Sequence, residues 1–120
     1  MKPTVLIIDD ALFMRRVIRG ILEDNGYQVV AEAASGIEAM RILHEHTPDI
    51  VILDIILPDS SGLDLIKSII EAVPSAKIAI CSALGQDAIV KKALDLGASA
   101  FIQKPLSSEK VLSALAPLEK

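Results

Sequence analysis

Ile50-Val51-Ile52-Leu53-Asp54-Ile55-Ile56-Leu57-Pro58-Asp59-Ser60-Ser61-Gly62 is the stretch that decides the fold. An apolar run stops on an acid, and Pro58, Ser60, Ser61 and Gly62 then mark a loop. Three more runs end in the same manner. Val5-Leu6-Ile7-Ile8 stops on Asp9-Asp10, Ile78-Ala79-Ile80-Cys81 on Ser82, and Ala100-Phe101-Ile102-Gln103 on Lys104-Pro105. If these runs are parallel strands of one open sheet, their C-terminal ends lie side by side, where such folds build ligand sites. Three carboxylates, a hydroxyl and an ammonium then converge, a set that suits a divalent metal and a phosphoryl group better than a core.

The remaining sequence fits that sheet. Strand-like runs alternate with helix-length segments from end to end, the pattern of an α/β domain with crossover helices. Asp10 is a candidate N-cap for a first helix that carries Leu12, Val17, Ile18, Ile21 and Leu22 inward and stops before Gly26. Tyr27 to Ala33 reads as a second strand. Ser35 with Glu38 forms a capping box for a helix reaching about His46, before Pro48. Leu63 to Val73 supplies the next helix, Gln86 to Leu96 another ended by Gly97, residues 99 to 103 the fifth strand, and Ser107 to Leu115 the last helix.

Composition narrows the function. At 120 residues the chain is expected to form one domain over residues 1–120 with one buried core. It is 52 % hydrophobic, yet its apolar runs are far shorter than the roughly 18 to 20 residues of a membrane span, and no secretory core follows Met1. A soluble, cytoplasmic protein is expected. The single cysteine, Cys81, allows no intrachain disulfide or zinc cluster and reads as a buried core residue. A net charge of -4 has the wrong sign for neutralising nucleic-acid phosphates. Arg15, Arg16 and Arg19 read as a solvated helix face, and His44 and His46, two apart, are poor metal ligands.

Electrostatics sharpens the roles. Two carboxylates about 4 Å apart repel by roughly 4 kcal/mol at an effective dielectric near 20, so Asp9, Asp10 and Asp54 need a cation or a proton. Lys104 neutralises one charge, and the rest match a hard divalent ion such as Mg²⁺. A carboxylate also attacks phosphoryl groups when the charge on the equatorial oxygens is met. Asp54, at the end of a central strand, is the natural acceptor. Asp9 and Asp10 would hold the metal, Lys104 would contact the phosphate, and the Ser82 hydroxyl would donate to it. Taken alone, the acid pair could simply cap the following helix, and Lys104 is more often a surface charge and Ser82 a turn hydroxyl, so only the combination at four strand ends carries weight.

Asp9-Asp10, Asp54 with Pro58 and Gly62 behind it, Ser82-Ala83 and Lys104-Pro105 resemble the receiver domain of two-component response regulators, along the whole chain and in order. The resemblance implies a flavodoxin-like, doubly wound fold: a five-stranded parallel sheet of order 2-1-3-4-5 with five flanking helices. It implies phosphorylation of Asp54 by a histidine kinase with Mg²⁺, the backbone carbonyl of Ile56 as a further metal ligand, and a cis Lys104-Pro105 bond. Ala11-Leu12-Phe13-Met14-Arg15 and Cys81-Ser82-Ala83-Leu84-Gly85-Gln86 are similar to stand-alone chemotaxis regulators of the CheY type. For these the kinase is CheA-like and the target a flagellar motor switch component or adaptor. The likeness makes the chain a self-modifying switch and not a turnover enzyme. It places Ser82 and Phe101 at the switch, and Ile56 and Leu84 where side chains influence loss of the phosphoryl group.

Three other readings compete. A haloacid-dehalogenase-like phosphatase normally carries an acid two residues after its aspartyl nucleophile, where this chain has Ile56. A pseudo-receiver that binds without phosphorylation would not need the full acidic set with Lys104. A receiver cut from a larger output-domain or DNA-binding regulator would share every motif.

Overall fold

Five parallel strands make one sheet in the order β2-β1-β3-β4-β5, as the family resemblance implied. The computed structural model describes residues 3–59, 61–83 and 87–119. The strands are β1 (Thr4–Ile8), β2 (Gln28–Ala33), β3 (Ile50–Asp54), β4 (Lys77–Ser82) and β5 (Ala100–Gln103). Five helices connect or follow them: α1 (Leu12–Asp24), α2 (Gly36–Leu43), α3 (Gly62–Ala72), α4 (Asp87–Asp95) and α5 (Ser108–Leu115). Among the described residues, no helix is long and apolar enough to cross a membrane.

The apolar runs lack a polar face because both faces of the sheet are covered. Leu6, Ile8, Val51, Leu53, Ile78 and Ile80 pack with Ala39, Leu43, Ile66, Ile69 and Ala93 from α2, α3 and α4. Val5, Ile7, Ile50, Ile52, Ala79 and Ile102 pack on the opposite face with Ile18 and Leu22 of α1 and Val111 and Leu115 of α5. Cys81 belongs to this second layer and is buried, as expected of a small core residue. Burial pushes its thiol up to about 12, which keeps it protonated.

Helix boundaries differ from the sequence expectation where side chains have other work. Asp10 does not cap α1: the cap position falls to Ala11, without any side-chain cap, because the Asp9 carboxylate takes the Ala11 N–H and helical winding starts two residues later. Leu12 therefore faces outward, 53 % exposed, and the buried stripe is built from Met14, Ile18, Ile21 and Leu22. Tyr27 precedes β2 instead of opening it, since its N–H returns to the Leu22 carbonyl and closes α1. Ser35 caps α2 as expected, but Glu38 reaches back to the Ala34 N–H. α2 ends at Leu43, and residues 44 and 45 wind on as a turn. Ser61 and Ser107 cap α3 and α5, and an unanticipated 3₁₀ turn, Ala116–Glu119, follows α5. The expected α4 start at Gln86, and Leu84 before it, lie outside the described residues.

Gly62 joins this framework to the site. A Cβ there would overlap the Asp54 carbonyl oxygen and stand 2.6 Å from the Ile55 Cα, while the Gly62 N–H donates to the Ile55 carbonyl. Only a residue without a side chain brings the start of α3 so close to the end of β3.

Candidate phosphoryl and metal site

Register fixes which strand ends meet. Ile8 pairs with Leu53, Asp54 with Cys81, and Ser82 with Gln103, so Asp9 and Asp54 stand level, with Ser82 one step and Lys104 two steps further along across four strands. Alternation then sorts them by face. Asp9, Asp54 and Lys104 continue the side that carries Ile7, Ile52 and Ile102, over α1 and α5. Ser82 and Phe101 continue the other side, and Phe101, paired with Ile80, packs half-buried against the layer under α3 and α4.

The Lys104 ammonium bridges the first group, donating to Asp9 Oδ2 at 3.0 Å and to Asp54 Oδ2 at 3.1 Å. Carboxylate oxygens of Asp9, Asp10 and Asp54 lie within 4.8 Å of one another. Asp9, Asp54 and Ser82 are the buried polar residues of the chain's described part, at 2 %, 7 % and 1 % exposure, whereas Asp10 is open to solvent. Asp54 Oδ1 accepts the Ile56 N–H at 3.2 Å, and the Lys104 N–H donates to the Ser82 carbonyl at 2.9 Å. Lys104-Pro105 is cis.

Burial pushes the Asp54 carboxyl above its ordinary value, and the Ile56 N–H and Lys104 only partly offset this. Burial thus disfavours the charged form of Asp54 unless a cation meets it. Burial draws the Lys104 ammonium down, but hydrogen bonding to Asp9 and the charges of Asp54 and Asp9 outweigh it and hold the group above its usual value. Three carboxylates face one ammonium, leaving a hard, oxygen-only donor set with two uncompensated charges. These residues fit a divalent ion of the Mg²⁺ or Ca²⁺ kind.

Ile56 stands at the rim with its side chain 59 % exposed, opposite Ser61 across a single antiparallel bridge. His44, at the C-cap of α2, and His46 beyond it are exposed and lie outside the acidic cluster.

Two features escaped sequence reasoning. Arg15 is not solvated: its Nη1 donates to the Asp9 carbonyl at 2.6 Å and its Nε to Glu32 Oε1 at 3.0 Å. Arg19 pairs with the other Glu32 oxygen, and of the three arginines Arg16 alone keeps an exposed position. Burial raises the Glu32 carboxyl, but Arg19 and Arg15 outweigh it and hold the group below the usual carboxylate range. Asp59, from the loop after β3, accepts the N–H groups of Gly36 and Ile37 at 2.9 Å each and ties that loop to α2.

A sequence model described as the response regulator receiver domain matches residues 5–116. The chain belongs to the response regulator receiver family. Among curated relatives, a chemotaxis protein CheY of Thermotoga maritima is 45 % identical over 120 residues and all of both chains. Another, from Listeria monocytogenes, is 47 % identical over 92 % of this chain and 93 % of its own. Among solved structures, a CheX-CheY-BeF3-Mg complex from Borrelia burgdorferi superposes with a TM-score of 0.92 at 36 % identity, covering 98 % of this receiver and 90 % of that chain. A Burkholderia pseudomallei response regulator with a phosphorylated aspartic acid and a calcium ion superposes at 0.84 with 30 % identity, over 95 % of this receiver and 66 % of that chain. The chain is thus a CheY-like receiver of two-component signalling, a class of switches and not of turnover enzymes. Receivers bind a divalent metal at an acidic pocket, and Asp9, Asp10 and Asp54 form such a pocket here.

Proposed function

We propose that this receiver is a chemotaxis switch that takes a phosphoryl group on Asp54 from the phosphohistidine of a CheA-like kinase in the cytoplasm. The observation that carries the reading is the Lys104 ammonium shared between Asp9 and Asp54, with Asp10 in the same cluster. An Asp54 oxygen attacks phosphorus, the P–N bond breaks, and the imidazole keeps the electron pair and takes a proton. Lys104, already 3.1 Å from Asp54, meets charge on a phosphoryl oxygen, and the Ser82 hydroxyl donates to another. Asp9, Asp10, Asp54 and the Ile56 carbonyl would hold a Mg²⁺ ion, which would supply the remaining charge neutralisation.

The output follows from the two faces of the sheet. Ser82 engages the phosphoryl group better in the active form, and Phe101, on the same face, repacks with it and alters the surface of α4, β5 and α5. That surface meets the target, a flagellar motor switch component or adaptor, as the chemotaxis names of the relatives suggest. Ile56, and Leu84 beyond the described residues, set how readily water reaches the phosphoryl group.

Acetyl phosphate with Mg²⁺ should label the wild type once, and Asp54→Asn not at all. Label found by mass spectrometry mainly on Asp9, Asp10 or elsewhere refutes the assignment. Pull-down with and without beryllofluoride then tests the switch and captures the target together.

A further inference from the structure

Four polar groups of Asp9 are engaged, three of them by partners outside the acid and lysine cluster. The Asp9 N–H donates to the Ala33 carbonyl at 3.0 Å, Oδ1 accepts the Ala11 N–H at 2.9 Å, and Oδ2 accepts from Lys104. Its carbonyl oxygen accepts from Arg15. Arg15 is held in turn by Glu32, whose second oxygen binds Arg19 Nε at 2.6 Å, and Arg19 also meets Glu23 at 3.1 Å. The side chains of Arg15 and Glu32 are only 14 % and 21 % exposed, so their pair is screened less than a surface ion pair.

The carbonyl that Arg15 grips belongs to the peptide joining Asp9 to Asp10. A peptide unit is planar, so fixing its oxygen fixes the direction in which the chain leaves for Asp10. We propose that Arg15, oriented by Glu32, is a positioning residue that sets the Asp9–Asp10 peptide so that both carboxylates face one metal ion. The inference rests on the metal-site reading above. It needs a guanidinium: the planar fork spans Glu32 on β2 and the Asp9 carbonyl together, which a single ammonium does not.

Charge and geometry give opposite signs here, which makes the test decisive. Removing a cation beside a metal site should tighten metal binding by Coulomb's law alone, while loss of a ligand-orienting contact weakens it, typically 10- to 100-fold. Titration calorimetry with MgCl₂ on wild type, Arg15→Gln and Arg15→Lys should find affinity about tenfold lower in the glutamine variant. The lysine variant, which keeps the charge and the stem, should fall in the same direction. In metal-free protein, hydrogen exchange at the Ala11 amide should be faster in both. Unchanged or tighter Mg²⁺ binding in either variant overturns the proposal, and Arg15→Lys decides alone if Arg15→Gln does not fold. A wild type that binds no Mg²⁺ overturns the metal reading instead. The exchange experiment then still judges Arg15, and unchanged Ala11 exchange refutes its positioning role.

Discussion

Replacing Gly62 by alanine should damage fold and site together, because the added methyl meets backbone. Its nearest neighbours are the Asp54 carbonyl oxygen and the Ile55 Cα, neither of which swings aside as a side chain would. Overpacking of this kind costs about 1 to 3 kcal/mol, and losing the hydrogen bond from Gly62 to Ile55 adds roughly 1 kcal/mol. Alanine returns at most about 1 kcal/mol of helix propensity, and less at the first helical residue. A net loss of about 2 to 3 kcal/mol should lower the melting temperature by roughly 10 °C for a domain of this size. The same push displaces the peptide that carries Asp54. Since misplacement of a reacting group by about 1 Å can cost on the order of 100-fold, labelling by acetyl phosphate should slow at least tenfold at a temperature where both proteins are folded. Thermal melts and single-turnover labelling of Gly62→Ala measure both effects. A melting temperature within about 2 °C of wild type, with an unchanged labelling rate, refutes the close-approach argument.

Mg²⁺ at about 100 times its dissociation constant should stabilise the protein by roughly 2.7 kcal/mol, and Asp10→Asn should lose most of that response in thermal melts. Tyr27, whose hydroxyl donates to Glu119 at 2.7 Å, has its pKa pushed by burial and that carboxylate from 10.0 to about 12. The neutral phenol is favoured in the fold, so this stabilisation is complete below pH 10 and is lost as pH rises toward 12. Tyr27→Phe should cost about 1 kcal/mol at neutral pH and flatten urea-derived stability across that window relative to wild type. Ile56→Asn should speed loss of the phosphoryl group, about tenfold for each 1.4 kcal/mol of barrier, because an exposed apolar rim offers nothing to orient water. Equal decay rates at saturating Mg²⁺ count against that role.

The convergence of Asp9, Asp54, Ser82 and Lys104 was legible in sequence because each follows a strand-like run, and parallel strands of one sheet bring such ends to one edge. Counting two residues on from Ile7, Ile52 and Ile102 puts Asp9, Asp54 and Lys104 on one side of the sheet. Arg15 was not legible. Its partners are a carboxylate 17 residues away on β2 and a backbone carbonyl, and neither leaves a spacing signature on the helix. The role of Gly62 was half legible: it marked a loop, but the reason for glycine lies in how closely α3 approaches β3. Asp59 was hidden for the same reason as Arg15, since it serves α2 across 23 residues of chain.

The misplaced start of α1 has a tertiary cause. Ser35, Ser61 and Ser107 cap α2, α3 and α5, so this chain does use side-chain caps where the positions are free. α1 has Ala11 at its cap position and no acid in its first turn, although two aspartates stand directly before that cap. Those carboxylates lie in the site: Asp9 is committed to Lys104 and the Ala11 N–H, and Asp10 is turned out to solvent beside it. A cap is worth about 1 kcal/mol, so the helix start forgoes local stability that a serine would supply. Local rules tend to fail at functional sites, and the compensation here is tertiary: Ala33, Lys104 and Arg15 hold Asp9 in place of a cap. Because the first turn of α1 is anchored through the same carboxylate that would meet a metal, a ligand that draws Asp9 or Asp10 inward acts directly on the start of that helix.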